Sequence, residues 1–375
     1  MKKMLYAFYK KFENNKFFAT LMFFGFDIFN NIKNINLCSA DTKIEKAEGN
    51  NSAVKAVIIS DEMTYENFKN VCDLKFLTPQ NWKKEIDSFK PDVFICESAW
   101  SGIDKYKDIW RGKIYKNNNL IFENRKTLFK IIEYCKKKNI KTVFWNKEDP
   151  VYFDDDIHNF SDTAIRFDYI FTTAQECIKG YAELGNKNAF LMGFGFSPEI
   201  FNCPKDYKKE KKAVFAGSWY ADHEERCRDM EKIFDTILEK NISLEIYDRY
   251  SESSNPVHKY PDKYKKYIHK AVPYKKLGKI LRNAEYAINI NTEKKSDTMF
   301  ARRVFEIMAS RCIVISNESV GMEKLFGDNI WFVGKDFDFE NAESIIENNY
   351  NYVMKECTNN ARIKKMFDIC GLNNR

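Results

Sequence analysis

TMFARRVFEIMASRCIVIS, residues 298–316, reads as a short apolar helix that runs directly into an apolar strand. That succession is the unit of an α/β fold, in which parallel strands are buried on both faces and so lose polar alternation. Two adjacent arginines and one glutamate stand inside the pattern: Arg302, Arg303 and Glu306. If residues 300–310 are helical, Arg302 and Glu306 lie one turn apart on one side. An exposed i,i+4 ion pair is one reading. Phe300, Val304, Phe305, Ile307, Met308 and Ala309 leave little polar face to expose, which argues against it. Residues 296–299, SDTM, offer capping groups at the helix start, where backbone N–H groups lack partners. Arginine one turn in and a carboxylate two turns in would suit a diphosphate followed by a ribose. The N–H groups and a guanidinium would take the phosphates, and Glu306 the vicinal hydroxyls.

Working outward, strand-like runs occupy residues 54–60, 92–98, 141–146, 168–173 and 188–193, with helix candidates at 63–72, 80–89, 123–139, 155–166 and 174–184. After the Pro- and Lys-bearing stretch 197–212 the pattern begins again, with strands at 213–218, 243–248, 286–291, 312–316 and 329–334. Helices fit 223–240, 274–283, 300–310 and 318–326, with more from about 337 onward. Two successive β/α halves predict two doubly wound domains facing each other across a cleft. The expected division is an extension and linker over 1–52, a domain over 53–196, a connector over 197–212, a second domain over 213–350 and a helical tail over 351–375.

Composition narrows the function. A chain of 375 residues with 44% hydrophobic residues has enough apolar material for two cores. The net charge of +7 comes from lysines interspersed with acids, a pattern of solvated faces rather than a nucleic-acid groove. Ten cysteines without a C-x-x-C spacing suggest apolar fillers in a reducing compartment. Four histidines and no H-E-x-x-H make a metal unexpected, and no bound cofactor is expected either. The absence of G-x-G-x-x-G and of a P-loop disfavours dinucleotide dehydrogenases and P-loop NTPases. FFATLMFFGFDIF, residues 17–29, is too short for a membrane span of roughly 20 residues. It suits a helix packed on the body or on a partner, with a membrane-surface anchor and an export signal as alternatives. The expected location is cytoplasmic, with residues 1–35 as the candidate membrane or partner contact. SADTKIEKAEGNNSA, residues 39–53, reads as a polar linker.

In doubly wound sheets ligands sit beyond the carboxyl ends of the strands. Asp61, the run Trp145-Asn146-Lys147-Glu148-Asp149, and Gly217-Ser218-Trp219-Tyr220 fall there, as does Arg249. The FAGSWY turn, residues 215–220, can offer N–H groups to a phosphate, or can be an ordinary strand-to-helix turn.

Taken together, FWNKEDP, DYIFTT, VFAGSWY, IYDR, Tyr260-Pro261, YAININT and SDTMFARRVFEIMAS resemble the spore-maturation CgeB/YkvP-type branch of the group 1 glycosyltransferases over residues 54–335. The resemblance implies a GT-B fold of two Rossmann-like domains. The C-terminal one would hold a nucleoside-diphosphate sugar and the N-terminal one a glycan, protein or cell-surface acceptor. Retaining members of the wider superfamily carry an E-x7-E pair whose second glutamate binds the ribose. Glu306 matches that second position, and the first falls on Thr298, next to Met299. Arg311 stands where a glycine is usual after the helix.

Transfer is expected to be metal-independent, with Arg249 and Arg302 or Arg303 neutralising the leaving diphosphate. Ser218 and Tyr220 are candidates for the diphosphate or base, and Tyr274 for the base or the core. Glu148 or Asp149 is the candidate base for the acceptor hydroxyl, with Asp61 as competitor and Asp149 alternatively a cap before Pro150. Trp145 is a sugar-stacking or core aromatic. A GT-B sugar-nucleotide epimerase and a non-catalytic sugar-nucleotide or glycan-binding module are the alternatives. The scarcity of histidine at strand ends weighs against the first, and Thr298 sustains the second.

Overall fold

The computed structural model describes residues 15–38, 42–45 and 54–372. They divide into a unit of Met1–Gly193 with Ile363–Arg375 and a unit of Phe194–Arg362. The first begins with helix α1 (Lys16–Cys38) and strands β1 (Ile44–Glu45) and β2 (Lys55–Ile59), followed by α2 (Glu62–Phe68), β3 (Asp73–Phe76), α3 (Trp82–Phe89) and β4 (Val93–Glu97). It continues through α4 (Lys126–Lys137), β5 (Lys141–Asn146), α5 (Ser161–Ala164), β6 (Tyr169–Thr172), α6 (Cys177–Glu183) and β7 (Ala189–Leu191). The sheet order is β1-β3-β2-β4-β5-β6-β7, parallel except for β1. All five residues of β4 are buried, which is why its sequence shows no alternation. The strand order reverses between β2 and β4, so Asp61 and the loop from Ser98 to Trp100 stand at the switch point.

The second unit runs α7 (Pro198–Phe201), β8 (Glu210–Ala216), α8 (Glu224–Glu239), β9 (Ser243–Asp248), β10 (Ile268–Lys270), α9 (Tyr274–Arg282), β11 (Ala284–Asn289), α10 (Arg303–Ala309), β12 (Ile313–Ser316), α11 (Val320–Phe326), β13 (Trp331–Phe332) and α12 (Ala342–Glu356). Its all-parallel sheet, β10-β9-β8-β11-β12-β13, has its switch point between β8 and β11. Period-2 alternation sends Ala213, Phe215, Ile288 and Ile315 to one core, against Met230, Ile233, Phe234 and Ile237 of α8. It sends Val214, Ala287 and Val314 to the other, against α9, α10 and α11. From Val304 to Ala309 every α10 residue is buried, Glu306 included.

The structure departs from the expected elements in several places, the helix expected at 155–166 being only the short α5. Helix 63–72 stops at Phe68, and the following residues turn into β3, whose Lys75 is paired inside the fold with Glu85. A charged residue in a four-residue strand hides the apolar signal. The stretch 197–212 holds α7 and the start of β8 instead of a bare connector. The helix expected at 300–310 begins at Arg303; Ser296 caps the preceding loop, accepting from the Met299 N–H at 3.0 Å. The expected tail is α12 followed by α13 (Asn359–Ile369), and the chain from Ile363 returns to the first unit, where Phe367 lies 6.4 Å from Phe68. Most of the linker expected at 39–53 lies outside the described residues, but Ile44–Glu45 pairs with β3.

Arg311 occupies the left-handed region, with φ of 55°. Its guanidinium holds it there, donating to the Cys203 carbonyl at 2.9 Å, pairing with Glu347 at 2.6 Å and lying 3.6 Å over the Tyr350 ring. Removing the anchors while keeping a Cβ leaves the strain uncompensated. Arg311→Gly should therefore be more stable than Arg311→Ala by about 1 kcal/mol in denaturant titrations. Equal stabilities would mean that the backbone there is relaxed.

Candidate functional site

In the second unit, the residues following β8, β9 and the β11 loop converge at the switch point. Gly217 ends the β8 run, and a Cβ there would meet the Phe215 ring at 2.4 Å, so only glycine lets the chain turn over that ring. Its carbonyl accepts from the Tyr260 hydroxyl at 3.0 Å. Arg226, in the first turns of α8, donates to the Ser218 carbonyl at 3.0 Å and lies 5.2 Å from the Tyr220 ring centre. Tyr220, Tyr250 and His258 form an aromatic wall, with Tyr250 stacked on His258 at 4.1 Å and Tyr220 edge-on to both.

The loop from β11 to α10 is held from below. Asn291 accepts from the Ala301 N–H at 2.8 Å and takes its own N–H partner, at 2.8 Å, from Asn317. Gly321 of α11 lets that helix approach the backbone of residues 296–298; a Cβ would lie 3.1 Å from three backbone atoms there. Thr298 and Met299 are fastened to Ser296 by these contacts.

At the start of α10 the charges meet. Glu306 is 1% exposed, accepting from the Tyr274 hydroxyl at 2.8 Å and pairing with Arg302 Nε at 3.2 Å. An exposed pair would contribute little; this carboxylate is buried. Arg302 also lies over the Tyr274 ring, so the structure ties Tyr274 to Glu306 and Arg302. Arg303 sits 5.9 Å from the Phe215 ring centre. Burial pushes its guanidinium down to about 10, and repulsion from Arg302, Arg249 and Arg226 pushes the same way. It remains charged at neutral pH. Four guanidinium groups thus share a region where Glu306 and Asp248 supply two carboxylates. Two enclosed polar atoms in it have no hydrogen-bond partner among the described residues: Ser218 Oγ and Arg303 Nε. An unmatched buried donor is costly unless a ligand takes it. Arg226 and Tyr260 were missed as site residues because HEERCR reads as a solvated helix face; only the fold brings Arg226 back beneath the β8 turn.

In the first unit, the structure separates the candidate acids. Asp61 is spent as a brace, its carboxylate accepting from the N–H groups of Trp100, Ser101 and Gly102 at 2.9, 2.8 and 2.6 Å. Asp149 is wholly buried and accepts from Asn146 at 2.6 Å, Thr172 at 2.5 Å and Tyr181 at 2.7 Å. It anchors the β5 end to β6 and α6, and burial raises it to about 7. Asn146 is buried with it, and Trp145, 2% exposed, is a core aromatic under the Lys147 amine. Lys147 in turn pairs with Glu97 at 3.2 Å and bonds Thr64. Glu148, like Asp61, is only partly buried, and burial raises its carboxyl despite a hydrogen bond from Trp100. Trp100 itself is ringed by Tyr115, Tyr152, His158 and Phe160, at 5.2 to 5.6 Å. The only sequence signal for this aromatic group was a tryptophan just past a strand end.

With this geometry in place, sequence and fold can be compared with known proteins. Residues 228–368 match the family model described as glycosyl transferase-like. The matched stretch falls mostly within the second unit. No protein of curated function matches the chain. Among solved structures, Anabaena HepE in complex with UDP and glucose is similar over 85% of this chain and 99% of its own, with a TM-score of 0.55 and 8% identity. A glycosyltransferase from Rickettsia africae ESF-5 (TM-score 0.48, 12% identity, 86% of this chain and 99% of its own) is also similar. So is the UDP-GlcNAc 2-epimerase from Methanocaldococcus jannaschii (0.45, 11%, 84% and 99%). The fold is GT-B, built from two Rossmann-like units.

Asp149 gives a pH signature. Its folded value of about 7 lies above its ordinary 3.8, so the unfolded chain loses this proton first as pH rises. Stability relative to an Asp149→Asn variant should fall as pH rises from about 3.8 to about 7 and level off above that. Thermal midpoints of both proteins across that range check it; a constant difference would mean that Asp149 titrates normally.

Proposed function

We propose that the chain is a glycosyltransferase that takes a sugar from a nucleoside-diphosphate sugar bound on its second unit. The observation that carries this reading is the arginine cluster at the β8/β11 switch point, with Ser218 Oγ and Arg303 Nε enclosed and unmatched beside the buried Glu306. Four guanidinium charges against two carboxylates leave an excess of about two positive charges, which a diphosphate balances. Arg249, Arg302 and Arg303 would take up the charge that develops on the leaving diphosphate, so this reading is metal-independent. The Gly217-Ser218 turn would approach the phosphates by backbone. Glu306, held by Tyr274 and Arg302, would accept from the ribose hydroxyls, and Tyr220 of the aromatic wall would lie against the base. Thr298 and Met299 would border the donor sugar.

On the first unit, Glu148 is the proposed base for the acceptor hydroxyl. A carboxylate raised toward neutrality accepts a proton better than an ordinary one, and Asp61 and Asp149 are committed to structural bonds. The acceptor class of this reading is a glycan, a protein or a cell-surface polymer, as the CgeB/YkvP-type resemblance implies, and the reaction would take place in the cytoplasm.

Thermal-shift titration with UDP, GDP, ADP and CDP tests the donor site. One nucleotide should raise the midpoint. Arg302→Ala and Arg249→Ala should each weaken its binding about tenfold or more. Glu306→Gln should weaken it less, with the fold intact. No shift with any nucleotide at millimolar concentration would remove the donor assignment.

Turnover of the stabilising nucleotide's sugar conjugate tests catalysis. Glu148→Gln should lose at least about 100-fold in kcat while keeping nucleotide affinity. Retained turnover would put the base elsewhere; no turnover in the unaltered protein, with binding intact, would favour the binding-module alternative.

A further inference from the structure

We infer that α1 lays an apolar stripe on an anionic membrane surface. The helix docks on the first unit by one face. Ala19 and Thr20 are buried, Phe23 packs edge-on to Phe122 at 5.4 Å, Asp27 pairs with Lys113, and Asn30 donates to the Asp108 carbonyl at 3.3 Å. A second face is apolar and largely exposed, although Phe24 also stacks on Phe122 at 4.8 Å. Phe17, Leu21, Phe24, Ile28 and Ile32 are 74, 59, 47, 58 and 67% exposed. At roughly 100° per residue they fall within an arc of roughly 80°, turned away from the docked face. Ile121, 66% exposed, extends the patch onto the body, since its N–H bonds Thr20 Oγ1 at 3.2 Å. A surface helix of a globular unit normally turns its apolar stripe inward. A contiguous exposed apolar patch marks an interaction surface.

Charge identifies the occupant. Lys16 opens the helix, and in the sequence Lys2, Lys3, Lys10 and Lys11 come before it, with Glu13 as the one acid among residues 1–16. Large aromatic and aliphatic side chains behind a basic flank match a lipid interface, where the rings enter the acyl boundary and the lysines meet anionic headgroups. No described helix is long and apolar enough to cross a membrane. The Asp27 and Asn30 contacts keep α1 fastened to the body, so it would lie in the plane of the interface. A second copy would use the same stripe, but parallel pairing would bring two lysine-rich flanks together.

Flotation of the full chain with vesicles tests this. The protein should float with phosphatidylcholine vesicles containing about one third phosphatidylglycerol, and much less with pure phosphatidylcholine or at high salt. The triple variant Phe17→Glu, Leu21→Glu, Ile28→Glu should lose about tenfold or more of that binding. Its thermal midpoint should be unchanged, because the replaced side chains are exposed. Absence of flotation with the phosphatidylglycerol-containing vesicles, equal flotation with the two kinds, or an unaffected triple variant would overturn the proposal. Light scattering without lipid should find the same mass for both proteins; a dimer that the triple variant dissolves would instead assign the stripe to a second copy. The comparison of the two vesicles uses the unaltered chain, so the result stands even if the variant fails to fold.

Discussion

The second unit is organised around a gathering of positive charge, with the Arg303 guanidinium the most deeply enclosed. Arg303 is packed against Phe215 with its Nε enclosed, and Arg226, Arg249 and Arg302 act on it as like charges. Such a group of cations is unfavourable by itself, because desolvation and mutual repulsion both oppose it. It persists because the surrounding structure leaves it no alternative: Phe215 lies at the heart of one core, and Val304 to Ala309 anchor α10 in the other. The two carboxylates present, Glu306 and Asp248, are themselves engaged, with Tyr274 and with the Tyr250 N–H at 2.9 Å. In the proposed reading the cluster is preorganised for a diphosphate, and the core holds the arrangement in place.

The first unit shows how one residue type is put to three uses by its surroundings. Asp61, Glu148 and Asp149 all follow parallel strands. Three backbone N–H groups hold Asp61, so it shapes the loop after β4. Three side-chain donors enclose Asp149, and burial dominates its titration. Glu148, one residue earlier, is only partly buried beside the Trp100 aromatic group. Glu148 lies in the bend and Asp149 in the turn that follow β5, and there a chemical candidate and a structural anchor come to sit next to each other.

The alternation of apolar strands with amphipathic helices was legible in the sequence because burial on both faces erases polar residues from a parallel strand. Three of the short strands were not. β1, β3 and β10 carry charged residues on so few positions that no period shows. The same limit applied to the end of the chain, where a helical pattern was visible but its return to the first unit was not, since nothing local encodes the Phe367 contact with Phe68.

The sequence by itself determined that Arg302 and Glu306 stand one turn apart, that two β/α halves follow one another, and that polar and aromatic residues gather just after the strands. Helical and pleated periodicity decide these things locally. Only the tertiary structure decided that Arg226 joins the cluster from α8, that Ser218 and Arg303 are left unmatched, and that Trp145, Asp61 and Asp149 serve the framework. Burial and hydrogen bonding at these positions depend on residues tens of positions away, and only the packed sheet brings those together.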